Sequence, residues 1–506
     1  MRSAVPGPRR KNSSGKRKKS IIYTRTENMT LDLIVIAIYL LAINVVGIFS
    51  ARAKTVNEYF LGSRSIPWIV ACFSIVATET STLTFISVPG LAYVKGVGFL
   101  QVAMGYLIGR IVVAFIFIPE YYAGNLSTVY EYLHNKFGVN ARRIIAILFH
   151  ITRILADGIR LFATAIPLAI LMGWQDYRAA VIVIGVATFF YTYYGGIRSV
   201  VIVDAIQMVL YLFCALMGIY MITRLTGHGL EEIFTMIPGE RLAVFSSGLS
   251  EGWKSLFGSY NIFSGLIGGA ILSIGSHGTD HIIVQRVLAC KNKKEAQKAM
   301  IWSGVIVFFQ FSLFLVLGLF IMVLLDKRTF TRPDEIMPYF IINHMPNGLR
   351  GLMLAGIFAA AMSSLSSSIN SLSASTVLDI LRLQDRDMPE NRRMNISRVV
   401  TVIWSAALIL VATLIQDSTS PLIELGLGIT SLLYGGILGI FIQGRFIKNF
   451  SDKAALTGVF VSIAGVIAIS KYLAVFWPWY VPIGLLISLT VGFSVNYFIK
   501  GRSLQQ

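Results

Sequence analysis

The sequence predicts an all-α polytopic membrane protein of about thirteen transmembrane helices. Three observations carry that expectation. Of 506 residues, 55% are hydrophobic and 14% charged, against about 25% charged in soluble domains. Mean hydropathy is +0.70. Continuous apolar runs of roughly 20 residues, the length a helix needs to cross a bilayer core, recur along nearly the whole chain. They leave no room for a sizeable soluble domain, and their continuity excludes a β-barrel, whose strands alternate in short segments.

The runs fall at about 30–51, 66–92, 97–121, 140–173, 177–195, 197–223, 259–277, 297–326, 346–381, 395–416, 420–444, 453–472 and 478–499, with ends good to a few residues. Longer connections rich in Gly and Pro lie near 224–258 and 327–345. The net charge of +19 is a topology signal rather than a nucleic-acid one. Basic residues concentrate in alternate short loops, among them Arg52, Lys54 and Arg64, then Arg142 and Arg143, then Arg286, Lys291 and Lys293, then Arg382 and Arg386, then Arg445 and Lys448. The positive-inside rule makes those loops cytoplasmic. The N-terminus is then outside, and the C-terminus, with Lys500 and Arg502, inside an inner (plasma) membrane.

Residues 1–28 hold nine basic side chains on the side that should be poor in them. Two expectations stand: translation starting at Met29, with 1–28 an upstream extension, or a disordered basic tail. Residues 29–506 form the membrane domain. Cys72, Cys214 and Cys290 form no CxxC motif, so neither a disulfide framework nor a zinc site is expected. The six histidines make no HExxH constellation, and no Walker loop or G-x-S-x-G elbow appears, so an enzyme is not expected. Nothing in the sequence calls for an obligate protein partner.

Polar residues inside spans cost enough to need reasons. The second span reads Ala77-Thr-Glu-Thr-Ser-Thr-Leu-Thr84, six polar residues in eight. Ser and Thr side chains compete for backbone hydrogen bonds, and Pro89-Gly90 follows. We expect a broken helix, tolerated in a membrane only where freed backbone lines a cavity or binds something; a polar kink packed on a neighbour is the other reading. The ninth span reads Ala359 to Ser371 with six serines and Asn370, and is expected to be a second oxygen-rich interruption. Its hydroxyls suit a hard cation such as sodium, while its small residues equally suit close helix packing. In the fourth span Arg153, Asp157 and Arg160 stand at i, i+4 and i+7. They read either as an ion-pair ladder or as a solute site whose excess positive charge Glu79 or an anionic solute balances. The sixth span carries Asp204 and Gln207, and the seventh Ser273 and Ser276.

These clusters, in this order, resemble the sodium:solute symporter family, which includes bacterial sugar, proline and sialic-acid transporters. The marks are Ala77–Gly90, the run Gly195–Gln207 with Asp204, the run Gln285–Gln297, and the ninth-span serines. The resemblance covers about residues 30–500 and implies a LeuT-type core of two inverted five-helix halves, about 66–223 and 259–446, working by alternating access around a midplane site. It implies a first sodium site from the carbonyls of Ala77, Thr80 and Ala360 and the hydroxyls of Ser363 and Ser364. A second, known in some members, would use Asp204, Ser366 and Ser367, although Asp204 could instead neutralise a nearby basic group. Solute contacts are implied at Glu79, Ser81 and Thr84. Arg153 matches the arginine that sialic-acid carriers set against a carboxylate. Ser273 and Ser276 stand where the bacterial galactose transporter has an asparagine and a gating tyrosine. The expected function is sodium-coupled import of a small polar solute, carboxylated or zwitterionic. The alternative is a sensor or uncoupled channel that reuses the fold.

Overall fold

The computed structural model describes residues 29–50, 53–172, 174, 176–247, 256–257, 260–326, 328–415, 422–473 and 475–503. The expectations for residues 1–28 lie outside the described residues. Among those described, every regular segment is helical apart from one isolated bridge between Ile66 and Cys290.

The first helix, α1 (Thr30–Phe49), is apolar around most of its surface. The second span is a bent pair, α2 (Trp68–Glu79) and α3 (Thr82–Lys95), turned by 62° at the break. Then come α4 (Leu100–Ala123), α5 (Val139–Met172) and the 49-residue α6 (Arg178–Thr226). The seventh span opens with a π-turn at Ser264–Gly268 and continues as α7 (Gly269–Gly278), then α8 (His281–Leu288). The rest are α9 (Lys293–Leu324), α10 (Leu349–Ser375), α11 (Glu390–Leu414), α12 (Leu422–Phe446), α13 (Asp452–Tyr472) and α14 (Tyr480–Ser503).

Nine described helices are long and apolar enough to cross a membrane, ten with the bent pair. The remaining expected spans have visible reasons for failing that test. In α5 the charges of Arg153, Asp157 and Arg160 lower the apolarity. The seventh span is broken, and α6 holds two spans joined at Gly196. There φ is 57° and ψ −159°, a conformation open to glycine and costly for any residue with a Cβ. The thirteen expected spans thus all have helical counterparts.

Two expectations are corrected. Pro89-Gly90 does not break the second span: both residues lie inside α3, and the break is nine residues earlier, at Thr80-Ser81. Helix α9 approaches α3 closely here, since a Cβ on Gly318 would stand 2.1 Å from the Pro89 carbonyl oxygen. The ninth span is not interrupted at its serines: α10 runs unbroken from Leu349 to Ser375, and only its end loosens into a π-turn at Thr376–Ile380. The serines do not unwind it because they bond back along the helix, Ser364 Oγ to the Ala360 carbonyl at 3.2 Å and Ser373 Oγ to Ile369 at 2.6 Å. Every residue from Met353 to Ser375 is buried, which is the close-packing role small residues serve between helices. Helix α10 packs against α6, α1, α5, α2 and α3, so it forms the spine against which the broken second span lies.

Candidate sodium and solute site

The break in the second span is built by its own sequence. Thr80 (φ −78°, ψ 84°) caps α2, and Ser81 (φ −83°, ψ 174°) starts α3 from an extended conformation. Thr80 N–H still bonds the Val76 carbonyl at 2.9 Å, but Ser81 N–H turns to Glu79 O at 3.0 Å. The Ala77 carbonyl therefore loses its helical donor, as the last carbonyls of any helix do. Ser364 Oγ of α10 reaches across to the Thr78 carbonyl at 3.4 Å, and Thr78 Oγ1 shares a hydrogen bond with Ser367 Oγ at 3.2 Å. Thr80 Oγ1 accepts from the Gln310 amide of α9. Ser363 Oγ is buried without a hydrogen-bond partner among the described residues. The structure thus brings the end of α2, at the Thr78 carbonyl, to Ser364 Oγ, which also bonds the Ala360 carbonyl. Freed carbonyls and an unused buried hydroxyl are hard, neutral donors that fit sodium. No group of three His, Cys, Asp or Glu among the described residues is placed to hold a metal.

Asp204 lies in α6 and is completely buried. Its Oδ2 accepts from Ser74 Oγ at 2.6 Å and from Arg286 Nη2 at 3.0 Å, with Ser367 Oγ at 3.5 Å. Arg286 also donates to Ser74 Oγ at 2.7 Å, to the Ile282 carbonyl at 2.6 Å, and to Ser367 Oγ. Ser366 Oγ turns to the Ser363 carbonyl at 3.1 Å. The cation that Asp204 Oδ2 and Ser367 hold in this conformation is the Arg286 guanidinium, while Asp204 Oδ1 is buried without a hydrogen-bond partner among the described residues.

Two small cavities adjoin the break. One is lined by Thr78, Glu79, Arg153, Ser276 and His277 among others. The second is lined by Glu79, Ser81, Thr84, Phe311 and their neighbours. Tyr106, Arg160, Leu427 and Glu79 are common to both. Glu79, Ser81, Thr84, Arg153 and Ser276 therefore converge as the sequence suggests. Ser273 lines neither cavity and donates to the Tyr106 carbonyl at 2.9 Å.

Long-range partners reset the local charge pattern. Glu79 is ion-paired with the fully buried Arg110 of α4, which also bonds Ser303 Oγ at 2.9 Å, and His277 Nε2 lies 3.6 Å from Glu79. Arg153 is paired with Asp280, at the break between α7 and α8, and donates to Tyr434 Oη at 2.7 Å. Tyr434 in turn donates to Asp280 at 2.6 Å. Of the ladder expected in α5, the Asp157–Arg160 rung closes at 2.7 Å, whereas Arg153 stays 3.9 Å from Asp157 because Asp280 holds it. Sequence reasoning missed Arg110, Asp280 and Tyr434. A lone arginine in the third span was the available signal, since a membrane-buried charge demands a partner.

A family model, the sodium:solute symporter family, matches residues 59–488. The chain belongs to the sodium:solute symporter family. It is 31% identical over 495 residues to the sodium/sialic acid symporter NanT of Aliivibrio fischeri, covering 94% of each chain. It is 27% identical to sodium-coupled monocarboxylate transporter 1 of Mus musculus, covering 86% of this chain and 72% of that one. A solved structure described as the substrate-bound outward-open state of a sodium-coupled sialic acid symporter superposes with a TM-score of 0.82, at 28% identity, over 92% of this chain and 98% of the other. The symporter is thus a multi-pass membrane transporter of the sodium-coupled kind, and α2/α3 and α7/α8, which open the two five-helix halves, each break in mid-course.

Proposed function

We propose that the symporter imports a small polar, carboxylated or zwitterionic solute across the inner membrane by alternating access, its N-terminus outside and its C-terminus cytoplasmic. Sodium is held by the carbonyls of Ala77, Thr80 and Ala360 with the hydroxyls of Ser363 and Ser364. The observation that carries this reading is the contact of Ser364 with the Thr78 carbonyl across the break. An ion at that junction bonds α2 and α10 at once, fixes the conformation of the break, and so shapes the neighbouring cavity where Glu79, Ser81 and Thr84 stand. Coupling follows because sodium then binds one conformation better than the other. The relatives' names add support, since sialic acid and monocarboxylates both carry a carboxylate.

The magnitudes suffice. One sodium moving through 100 mV contributes about 2.3 kcal/mol, and a tenfold gradient about 1.4 kcal/mol. Together they support roughly 500-fold accumulation of a neutral solute. A solute with one negative charge cancels the electrical share of one ion, leaving about tenfold accumulation from the sodium gradient alone. We propose one ion per cycle at this site. A second at Asp204, Ser366 and Ser367 would share the Asp204 carboxylate with Arg286, which holds Oδ2 and leaves Oδ1 without a partner among the described residues.

The test is uptake in proteoliposomes from a panel of sugars, sugar acids, amino acids and monocarboxylates, with an inward sodium gradient or with choline. Accumulation of one class above equilibrium in sodium alone is expected. Sodium flux that persists without any solute would favour the channel reading.

A further inference from the structure

The fourth span offers two arginines to the cavities, and their surroundings differ. Arg153 Nη2 is engaged twice, by Asp280 and by Tyr434. A carboxylate docks best on two parallel N–H groups of one guanidinium edge, and the Nε–Nη2 edge of Arg153 is closed to it unless Asp280 is evicted. Arg160 is held at one nitrogen only, Nη1 to Asp157 Oδ1 at 2.7 Å. Its Nε is buried without a partner, as is the Nε of Arg153, but its Nη2 donates no hydrogen bond among the described residues, whereas Nη2 is the engaged nitrogen of Arg153. Arg160 lines both cavities, whereas Arg153 lines one. The cavity that only Arg160 reaches is the one with Ser81 and Thr84.

Charge agrees with geometry. The ionisable groups around the cavities are Glu79, Asp157 and Asp280 against Arg110, Arg153 and Arg160. With His277 neutral these cancel. A sodium ion at the Thr78–Ser364 junction then leaves the region one positive charge in excess, in surroundings where an uncompensated charge is costly. One carboxylate on the open edge of Arg160 restores neutrality.

We infer that Arg160, rather than Arg153, is the residue that reads the solute's carboxylate, its free Nε–Nη2 edge facing a solute that is a monocarboxylate bound together with one sodium ion. Arg153 braces the broken seventh span through Asp280 and Tyr434. The inference rests on the sodium-coupled reading above. It adds that sodium and the carboxylate strengthen each other's binding, by the same factor in both directions.

The test uses the purified full-length protein and matched probes: N-acetylneuraminate with its methyl ester, and lactate with lactamide, each titrated calorimetrically in sodium and in choline chloride. In sodium the wild type is expected to bind at least one acid about 10- to 100-fold more tightly than its neutral partner, the range a charge-assisted pair supplies, and that margin shrinks in choline. Arg160→Gln abolishes the margin while sodium still raises the thermal stability of the protein. Arg160→Lys retains part of it, and the charge-balanced double variant Arg153→Gln with Asp280→Asn, which removes the brace without changing the net charge of the region, retains most of it. Equal binding of acids and neutral partners by the wild type overturns the inference, as does loss of the margin in the Arg153→Gln, Asp280→Asn double variant with its survival in Arg160→Gln. If sodium changes neither stability nor binding, the sodium-coupled reading fails with it. If sodium acts but the margin ignores Arg160, only this assignment fails.

Discussion

Removing Arg286 should convert a self-contained ion pair into a sodium-dependent one. In Arg286→Met the Asp204 carboxylate, completely buried, keeps hydrogen bonds from Ser74 and Ser367 but loses its counter-charge. Truncating one member of a buried pair costs about 3–5 kcal/mol, chiefly because the other charge remains unpaired. Asp204→Asn leaves the guanidinium stranded, at a similar cost. Removing both charges together avoids that penalty. The double variant should therefore lie well above the sum of the single losses, with a coupling of about 2–3 kcal/mol. The bare carboxylate of Arg286→Met stands beside the hydroxyls of Ser74 and Ser367, which makes it a cation site. Sodium at about 100 times its dissociation constant should return roughly 2.7 kcal/mol. Denaturant unfolding in mixed micelles at several sodium concentrations reads both effects. Additive single losses, together with a sodium response no larger than the wild type's, would refute the claim that Arg286 serves as the resident cation of this pocket.

Other consequences are equally direct. Arg110→Gln leaves Glu79 without its ion-pair partner and should cost about 3 kcal/mol or more; Glu79→Gln in the same chain should recover part of it, as read by unfolding midpoints. Gly196→Ala forces a Cβ to 2.5 Å from the Tyr59 carbonyl oxygen at a φ of 57°, so it should lower stability by about 1–3 kcal/mol and reduce the folded yield. Asp32→Asn weakens a junction in which one carboxylate holds Arg350 Nε at 2.7 Å and the backbone N–H groups of Gly348 and Gly351 at 2.7 and 2.8 Å. It should loosen the start of α10, seen as faster amide hydrogen exchange there than in the wild type.

Much of this architecture was legible along the chain. Apolar runs locate the spans because a bilayer requires them, and the broken second span is signalled by six polar residues in eight. The ninth span misled for a physical reason. Hydroxyls that oppose helix formation in water can bond back to their own helix when buried, as Ser364 and Ser373 do, so a serine-rich helix survives where it packs tightly. The charge partners were not legible because they join distant spans: Arg153 to Asp280, Arg110 to Glu79, Asp204 to Arg286. Local spacing gave only Asp157 with Arg160, and even there it could not show that Asp280 draws Arg153 away and leaves Arg160 facing the cavities.

Direct sodium binding to the purified protein, wild type against Ser364→Ala, tests the central claim most closely. Radioactive sodium or sodium-induced stabilisation serves as the readout. Loss of the junction hydroxyl should weaken sodium binding at least tenfold while the protein remains folded and monodisperse. Unchanged sodium affinity in that variant would contradict the assignment of the ion to the meeting point of α2 and α10.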